Sequence, residues 1–68
     1  MDTLEKLRLE LRETLSKASA KAAEWEGKEK EMPPEVLSEI DANIREAEAI
    51  KSKIDVLKRK AELDAYAN

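Results

Sequence analysis

Apolar residues recur along this chain at intervals of three and four residues, on both sides of one short interruption. This spacing places them on one face of an α-helix, and the residues opposite are mostly Glu, Lys, Arg and Ser. The interruption, WEGKEKEMPPE at residues 25–35, contains the only glycine and both prolines. The pattern therefore predicts two amphipathic helices joined by a turn. A sheet is not expected, because β-branched residues are few.

The first helix is predicted to run from about residue 3 to residue 26. Asp2 and Glu5 have the spacing of a capping box, and Gly27 suits the left-handed residue that follows a last helical turn. The apolar positions of this helix repeat after eleven residues and fall in one narrow stripe. The predicted stripe, which forms one side of an intrachain seam, comprises Leu4, Leu7, Leu11, Leu15, Ala18, Ala22 and Trp25.

The second helix is predicted over residues 34–66, after a turn at residues 27–33 that ends on Pro33. Pro34 suits the first helical position, where a backbone N–H has no partner within the helix, and Glu35 lies in the favourable first turn. Apolar residues then follow at spacings of three and four. Four of them form a row with a seven-residue period: Ile40, Ala47, Ile54 and Ala61.

A connection of about seven residues favours an antiparallel hairpin over two separate domains. Folding at this turn is expected to bring Leu15 close to Ile44 and Leu4 close to Ile54. Trp25 is expected to close the turn end, with ligand binding as its alternative role. The predicted fold class is all-α: a two-helix, coiled-coil-like antiparallel hairpin that self-associates. The second helix is expected to contribute to the seam through Leu37, Ile40, Ile44, Ala47 and Ile54.

The second helix is longer than the first, so its last turns are expected to extend past the hairpin. A two-helix hairpin also leaves part of the wider apolar stripe uncovered, which provides surface for contacts with other copies. Asn43 falls in the same row as Ile50 and Leu57, where a polar residue either specifies the register or lies harmlessly at the edge. The residues predicted to self-associate are Ile50, Leu57, Ala61 and Ala65.

Composition narrows the possible functions. The chain has 68 residues, of which 43% are charged, and it has neither cysteine nor histidine. Disulfides, thiolate metal sites and the commonest general base are therefore excluded. Carboxylate pairs such as Glu46 with Asp55, or Glu24 with Glu26, are expected to be solvated, because no phosphate-binding loop accompanies them. The chain is predicted not to be an enzyme and to hold no cofactor and no metal.

Charge along the second helix is segregated. Five acids and one base occupy residues 35–48, whereas five bases and one acid occupy residues 49–60. This arrangement complements the helix dipole, and it can also set the register between neighbouring copies. The net charge of −3 and the lack of aromatic residues among the bases argue against a nucleic-acid partner. No apolar run is long enough to span a membrane, so no membrane partner is expected.

A charged first helix, LEKLRLELRETLSKASAKAAEWEG, is followed by a short polar break and a second helix that begins with MPPEVLSEIDANIREAEAIKSKI. This order resembles the N-terminal delta (scaffolding) domain of tailed-phage major capsid proteins of the Hong Kong type. The resemblance covers essentially the whole chain. Pro33, Pro34 and Glu35 stand where that family usually has a Thr-x-Glu start to its second helix.

The resemblance implies that the hairpin is the N-terminal part of a longer protein, fused ahead of a capsid shell. Such a domain promotes subunit association inside the immature shell and is removed on maturation. It implies other capsid subunits and a maturation protease as partners, in the host cytoplasm and the interior of the immature virion. Two alternatives stay open: a helical arm that contacts nucleic acid, like the hairpin before some tRNA synthetase catalytic domains, and an adaptor coiled coil that binds another protein.

Overall fold

The structure is a computed structural model that describes residues 2–67. It contains two α-helices, α1 (Thr3–Ala23) and α2 (Pro34–Ala67), with a short 3₁₀-helix between them (Glu29–Glu31). No strand occurs within these residues. The two helices pack against each other as an antiparallel hairpin that is 56 Å long. The predicted all-α hairpin is confirmed.

The first helix begins at the predicted cap and ends earlier than predicted. The Asp2 carboxylate accepts a 2.8 Å hydrogen bond from the backbone N–H of Glu5, which satisfies one of the free donors of the first turn. The helix ends at Ala23 instead of Glu26. The backbone N–H groups of Trp25 and Glu26 bond to carbonyl oxygens three residues back, so the chain tightens into 3₁₀-type turns before it reverses.

Gly27 reverses the direction of the chain. Its φ is +81°, the one positive φ found in residues 2–67, and glycine adopts this conformation without steric cost. The backbone N–H of Lys28 closes the turn with a 2.8 Å bond to the carbonyl oxygen of Trp25. The Gly27 N–H donates to the Glu29 carboxylate. The Trp25 side chain is half-buried at this end of the hairpin.

The second helix begins at Pro34, as predicted. Pro34 lacks the N–H that a first helical residue cannot satisfy within the helix. The carbonyl oxygen of Pro33 accepts hydrogen bonds from the N–H groups of Val36 and Leu37, which closes the first turn. The helix then continues to Ala67 without a break, because no further glycine or proline interrupts it.

The contact between the helices, here called the seam, follows a seven-residue repeat on both sides. From Asp2 to the turn, the buried or half-buried residues are Leu4, Leu7, Leu11, Thr14, Ala18, Lys21 and Trp25. On α2 they are Val36, Ile40, Asn43, Ala47, Ile50, Ile54 and Leu57. The part that is less than a tenth exposed is small and consists of Thr14, Ala18, Ala47, Ile50 and Ile54. The hairpin therefore has a narrow core.

One ion pair and one groove show which residues of the two helices face each other. Lys21 Nζ lies 3.2 Å from the carboxylate of Glu39. At the open end, opposite the turn, Leu4 shares a groove with Leu57 and Ala61. Because the helices are antiparallel, each step along α1 is matched by an equal step back along α2. The facing pairs are Leu4 with Leu57, Leu7 with Ile54, Leu11 with Ile50, Thr14 with Ala47, Ala18 with Asn43, Lys21 with Ile40, and Trp25 with Val36.

The predicted seam of α1 was wrong at two positions. The eleven-residue repeat placed Leu15 and Ala22 in the seam, but both are exposed, and the preceding residues Thr14 and Lys21 take their places. Two helices that coil around each other must share one period. The seven-residue repeat of α2 therefore imposes its own period on α1, although this places two polar residues in the seam.

The predicted seam of α2 was wrong at two positions as well. Leu37 and Ile44 were expected in the seam but are 56% and 41% exposed. The prediction for Ile50 and Leu57 was also wrong, because both were assigned to contacts between copies. Ile50 is 6% exposed and Leu57 is half-buried, so both contribute to the seam within the chain.

The second helix extends past the first by less than predicted. Leu4 was expected to face Ile54 but faces Leu57, nearly one helical turn further along α2. This shift pairs Leu57 within the chain and shortens the overhang. The overhang begins close to Ala61, and its exposed residues include Ala61, Leu63, Ala65 and Tyr66.

Candidate interaction surface

The seam divides the surface of the hairpin into two flanks. On one flank Lys21 bonds to Glu39, and Thr3 shares grooves with Lys53 and Lys60. Along the paired part of both helices, the heptad position to which Thr3 and Glu39 belong is occupied by charged or polar residues. We call this side the charged flank: Thr3, Glu10, Lys17, Glu24, Glu39, Glu46, Lys53 and Lys60.

The opposite flank carries four exposed apolar residues near the turn, here called the apolar strip: Leu15 and Ala22 from α1, and Leu37 and Ile44 from α2. Leu15 is 47% exposed, and the two large side chains of α2 are comparably exposed. Each of the four directly follows a seam residue, which is the same heptad position on both helices. In an antiparallel pair this position places them on one side. The apolar strip therefore consists of the four residues that were predicted to lie in the seam but are exposed.

Opposite charges lie at the two ends of the apolar strip along α1. Towards the turn, Glu26 and Glu29 line a groove beside the strip. Towards the open end, Arg8 and Arg12 line a second groove, to which Glu5 also contributes. Within residues 2–67 neither arginine forms an ion pair. The strip thus has an acidic end and a basic end.

A second apolar surface lies at the open end, on the charged flank. Thr3, Leu7, Val56 and Leu57 line a groove there, and Val56 is 54% exposed. Leu63, seven residues beyond Val56, is 69% exposed. Sequence reasoning missed this surface, although the sequence contains a row of apolar residues with a seven-residue period that could have revealed it: Ala42, Ala49, Val56 and Leu63.

The middle of the seam combines polar and small residues. Thr14 is 6% exposed and faces Ala47. Asn43 is half-buried and faces Ala18, and Lys21 is half-buried in the next layer. Within residues 2–67 no buried side-chain polar atom lacks a hydrogen-bond partner. Asn43 thus lies in the row in which a polar residue can specify the register, and that role stays a prediction.

Three of the five cations in the basic segment of α2 bond to neighbouring groups. Lys51 Nζ lies 3.3 Å from the Asp55 carboxylate, and Lys60 bonds to Asp64. Arg59 Nε donates to the backbone carbonyl oxygen of Asp55. These pairs span one helical turn and direct the cationic groups along the helix. The segment therefore presents less uncompensated positive charge than its sequence suggests.

The carboxylate pairs considered from the sequence include groups that bond to neighbouring lysines. Glu24 lies 4.0 Å from Lys21, and Asp55 is bonded to Lys51. Between residues 2 and 67 no group of three or more acidic side chains is placed to hold a metal ion. Neither helix in this part of the chain is long and apolar enough to cross a membrane. The exposed apolar residues are therefore the feature of this part of the chain that points to a function.

No family model matches the chain, and neither does any curated protein or solved structure. The resemblance to capsid scaffolding domains therefore stays a prediction.

Proposed function

We propose that this chain is an assembly domain, a helical hairpin that associates with further copies of itself. In the specific form implied by the resemblance, it promotes association of capsid subunits inside an immature phage shell and is removed on maturation. The observation that supports this proposal is the imbalance between buried and exposed apolar residues. Within residues 2–67 four hydrophobic residues are buried, whereas seven large ones are at least 41% exposed: Leu9, Leu15, Leu37, Ile44, Val56, Leu63 and Tyr66.

A hairpin of this size gains little stability from its own core. Of the four hydrophobic residues buried in the described part of the chain, two are alanines, and the other two are Ile50 and Ile54. Burial of one isoleucine side chain stabilises a fold by about 2 kcal/mol, which is small against the entropy of ordering two helices. Association that covers further apolar side chains would stabilise the folded hairpin, because a partner that binds only the folded state shifts the folding equilibrium.

Weak association is sufficient for an assembly domain. Copies that are tethered to one shell have a high effective concentration, so many weak contacts add up to a stable assembly. A hairpin of low stability also opens locally, which exposes its backbone to a maturation protease. Both properties suit a domain that acts during assembly and is then removed.

The association part of the proposal is tested on the chain itself. Sedimentation equilibrium from about 10 μM to about 1 mM, a range that covers weak protein association, should show the average mass rising with concentration. The thermal midpoint followed by circular dichroism should rise in parallel. A monomer with a constant midpoint over the whole range would contradict self-association.

The capsid part is tested in the natural gene. If the reading frame continues into a shell domain, deletion of the hairpin codons should abolish the formation of particles. A control deletion with the hairpin restored in trans, as a separate chain, should restore fewer particles because tethering is lost. A reading frame without a shell domain would remove the capsid part of the proposal and leave self-association standing.

The ion pairs of the basic segment give no support to the nucleic-acid arm. A salt-dependent shift of RNA or DNA in a gel would favour that alternative, provided that neutral substitutions at Lys58, Arg59 and Lys60 abolished the shift.

A further inference from the structure

The apolar strip and the charges at its ends form an approximately symmetric pattern along the hairpin. Arg12 on α1 and Glu26 in the turn after it lie seven residues before and after Ser19, and Leu15 and Ala22 lie on either side of it. Arg12 is thus about 10 Å from Ser19 along the helix axis, and Glu26 is at a similar distance on the other side. On α2, the two residues of the strip lie on either side of the same level. The surface therefore has the pattern basic, apolar, acidic.

We propose that this surface is the contact face of a symmetric dimer, in which a second copy of the chain packs on the apolar strip with its turn over the open end of the first. This inference rests on the proposed self-association and names the surface and the orientation. The two-fold axis crosses the helices at the level of Ser19 and places α1 on α1 and α2 on α2, as in a four-helix bundle. The contacts between copies are Leu15 with Ala22, Leu37 with Ile44, and Arg12 with Glu26.

Charge complementarity selects this orientation. In the antiparallel dimer the arginines at the basic end of each strip approach Glu26 and Glu29 of the other copy. The other symmetric arrangement has both turns at the same end. It would place α1 of one copy over α2 of the other and Arg8 over Lys51, so like charges would meet at the open end and Glu26 would have no arginine opposite it.

Side-chain size favours the same orientation. In the antiparallel dimer a large residue of α1, Leu15, lies over a small one, Ala22, at both symmetry-related places. Ser19 lies at the axis and allows the two copies of α1 to approach closely. The dimer also covers the two exposed large side chains of α2, Leu37 and Ile44.

A charge-reversal series tests the predicted contact between Arg12 and Glu26. The substitutions Arg12→Glu and Glu26→Arg each replace two ion pairs in the dimer by like charges, so each should weaken dimerisation by roughly tenfold. The double variant restores opposite charges and should return the dissociation constant to within about threefold of the original value. Both residues are outside the seam, so circular dichroism should show the same helicity in all variants. A double variant that dimerises no better than the single ones would overturn the proposal.

Cysteine cross-linking tests the position of the axis. The chain has no cysteine, so a single substitution provides a unique thiol. Ser19→Cys should place two thiols next to each other across the axis and give a disulfide-linked dimer on mild oxidation. Ser16→Cys is the matched control, because residue 16 is also exposed but lies on the outer face of α1. Equal cross-linking of the two variants would exclude an axis at Ser19.

The outcomes separate this inference from the proposed function. If the chain stays monomeric at every concentration, both are wrong. If the chain associates but neither charge reversal nor the cysteine at position 19 affects the complex as stated, self-association stands and the antiparallel dimer is wrong. Rescue in the double variant, together with selective cross-linking, would support both.

Discussion

The ammonium group of Lys21 lies 3.2 Å from the carboxylate of Glu39, and this ion pair joins α1 to α2. Lys21 occupies a seam position between Ala18 and Trp25, where coiled coils usually have an apolar residue. Its aliphatic stem lies along the seam while its charged end reaches the charged flank. One layer of the seam is therefore stabilised by a partly exposed ion pair and by packing of the aliphatic part of the lysine side chain.

Lys21→Leu should stabilise the hairpin. A leucine at this position buries apolar surface in the seam, and the gain exceeds the value of a partly exposed ion pair, so the free energy of unfolding should rise by about 1 kcal/mol. Glu39→Gln, which removes the ion pair and leaves the seam unchanged, should lower it by at most about 0.5 kcal/mol. Urea unfolding at low protein concentration measures both. A Lys21→Leu variant less stable than Glu39→Gln would mean that the ion pair contributes more than packing.

Ile50 and Ile44 distinguish the observed seam from the one expected from the sequence. Ile50→Ala should lower the free energy of unfolding by about 2–3 kcal/mol, because it leaves a cavity at a side chain that is 6% exposed. The identical substitution at Ile44, which is 41% exposed, should cost less than about 1 kcal/mol. The comparison uses thermal unfolding of dilute protein, so that association does not contribute. A larger loss at Ile44 would support the expected seam.

The helices and the turn could be predicted because local signals define them. Asp2 caps α1, Gly27 adopts the left-handed conformation, and Pro34 begins α2. Each of these depends on the conformation of a few neighbouring residues, which the residue types alone restrict. The end of α1 was misplaced by three residues and that of α2 by one, because the last turn of α1 tightens and helix ends are weakly specified.

The seam could not be predicted in full, because it depends on the partner helix. An eleven-residue repeat and a seven-residue repeat share most positions of α1 and differ only in the choice of Thr14 or Leu15, and of Lys21 or Ala22. Hydrophobicity favours the second residue of each pair, and the sequence of α1 contains no signal against it. The repeat of α2 decides the choice once the helices coil together. The apolar strip was missed for the same reason.

Gly27 should be required for the turn because of its backbone conformation alone. A Cβ atom at this position would meet no atom within 4 Å, so the cost of a substitution comes from the φ of +81°. Gly27→Ala should lower the free energy of unfolding by about 1 kcal/mol, and Gly27→Asn should cost less, since asparagine tolerates left-handed conformations. Thermal unfolding of the two variants measures the difference. Equal stability of all three proteins would mean that the turn adopts another conformation.

Leu57 and Leu63 separate the seam from the overhang of α2. Leu57 is half-buried opposite Leu4, in a groove that Asp2 and Asp64 also line. Leu57→Asp places a further carboxylate there, so it should lower the free energy of unfolding by about 2 kcal/mol and reduce helicity.

The same substitution at Leu63, which is 69% exposed, should change stability by less than about 0.5 kcal/mol. Circular dichroism gives the helicity, and amide hydrogen exchange locates the loss, which should be concentrated in the first turns of α1. If Leu57→Asp kept full helicity and protection but weakened association, Leu57 would act between copies and the register of the seam would have to be revised. Loss of association in Leu63→Asp alone would instead identify the overhang as the surface through which copies meet.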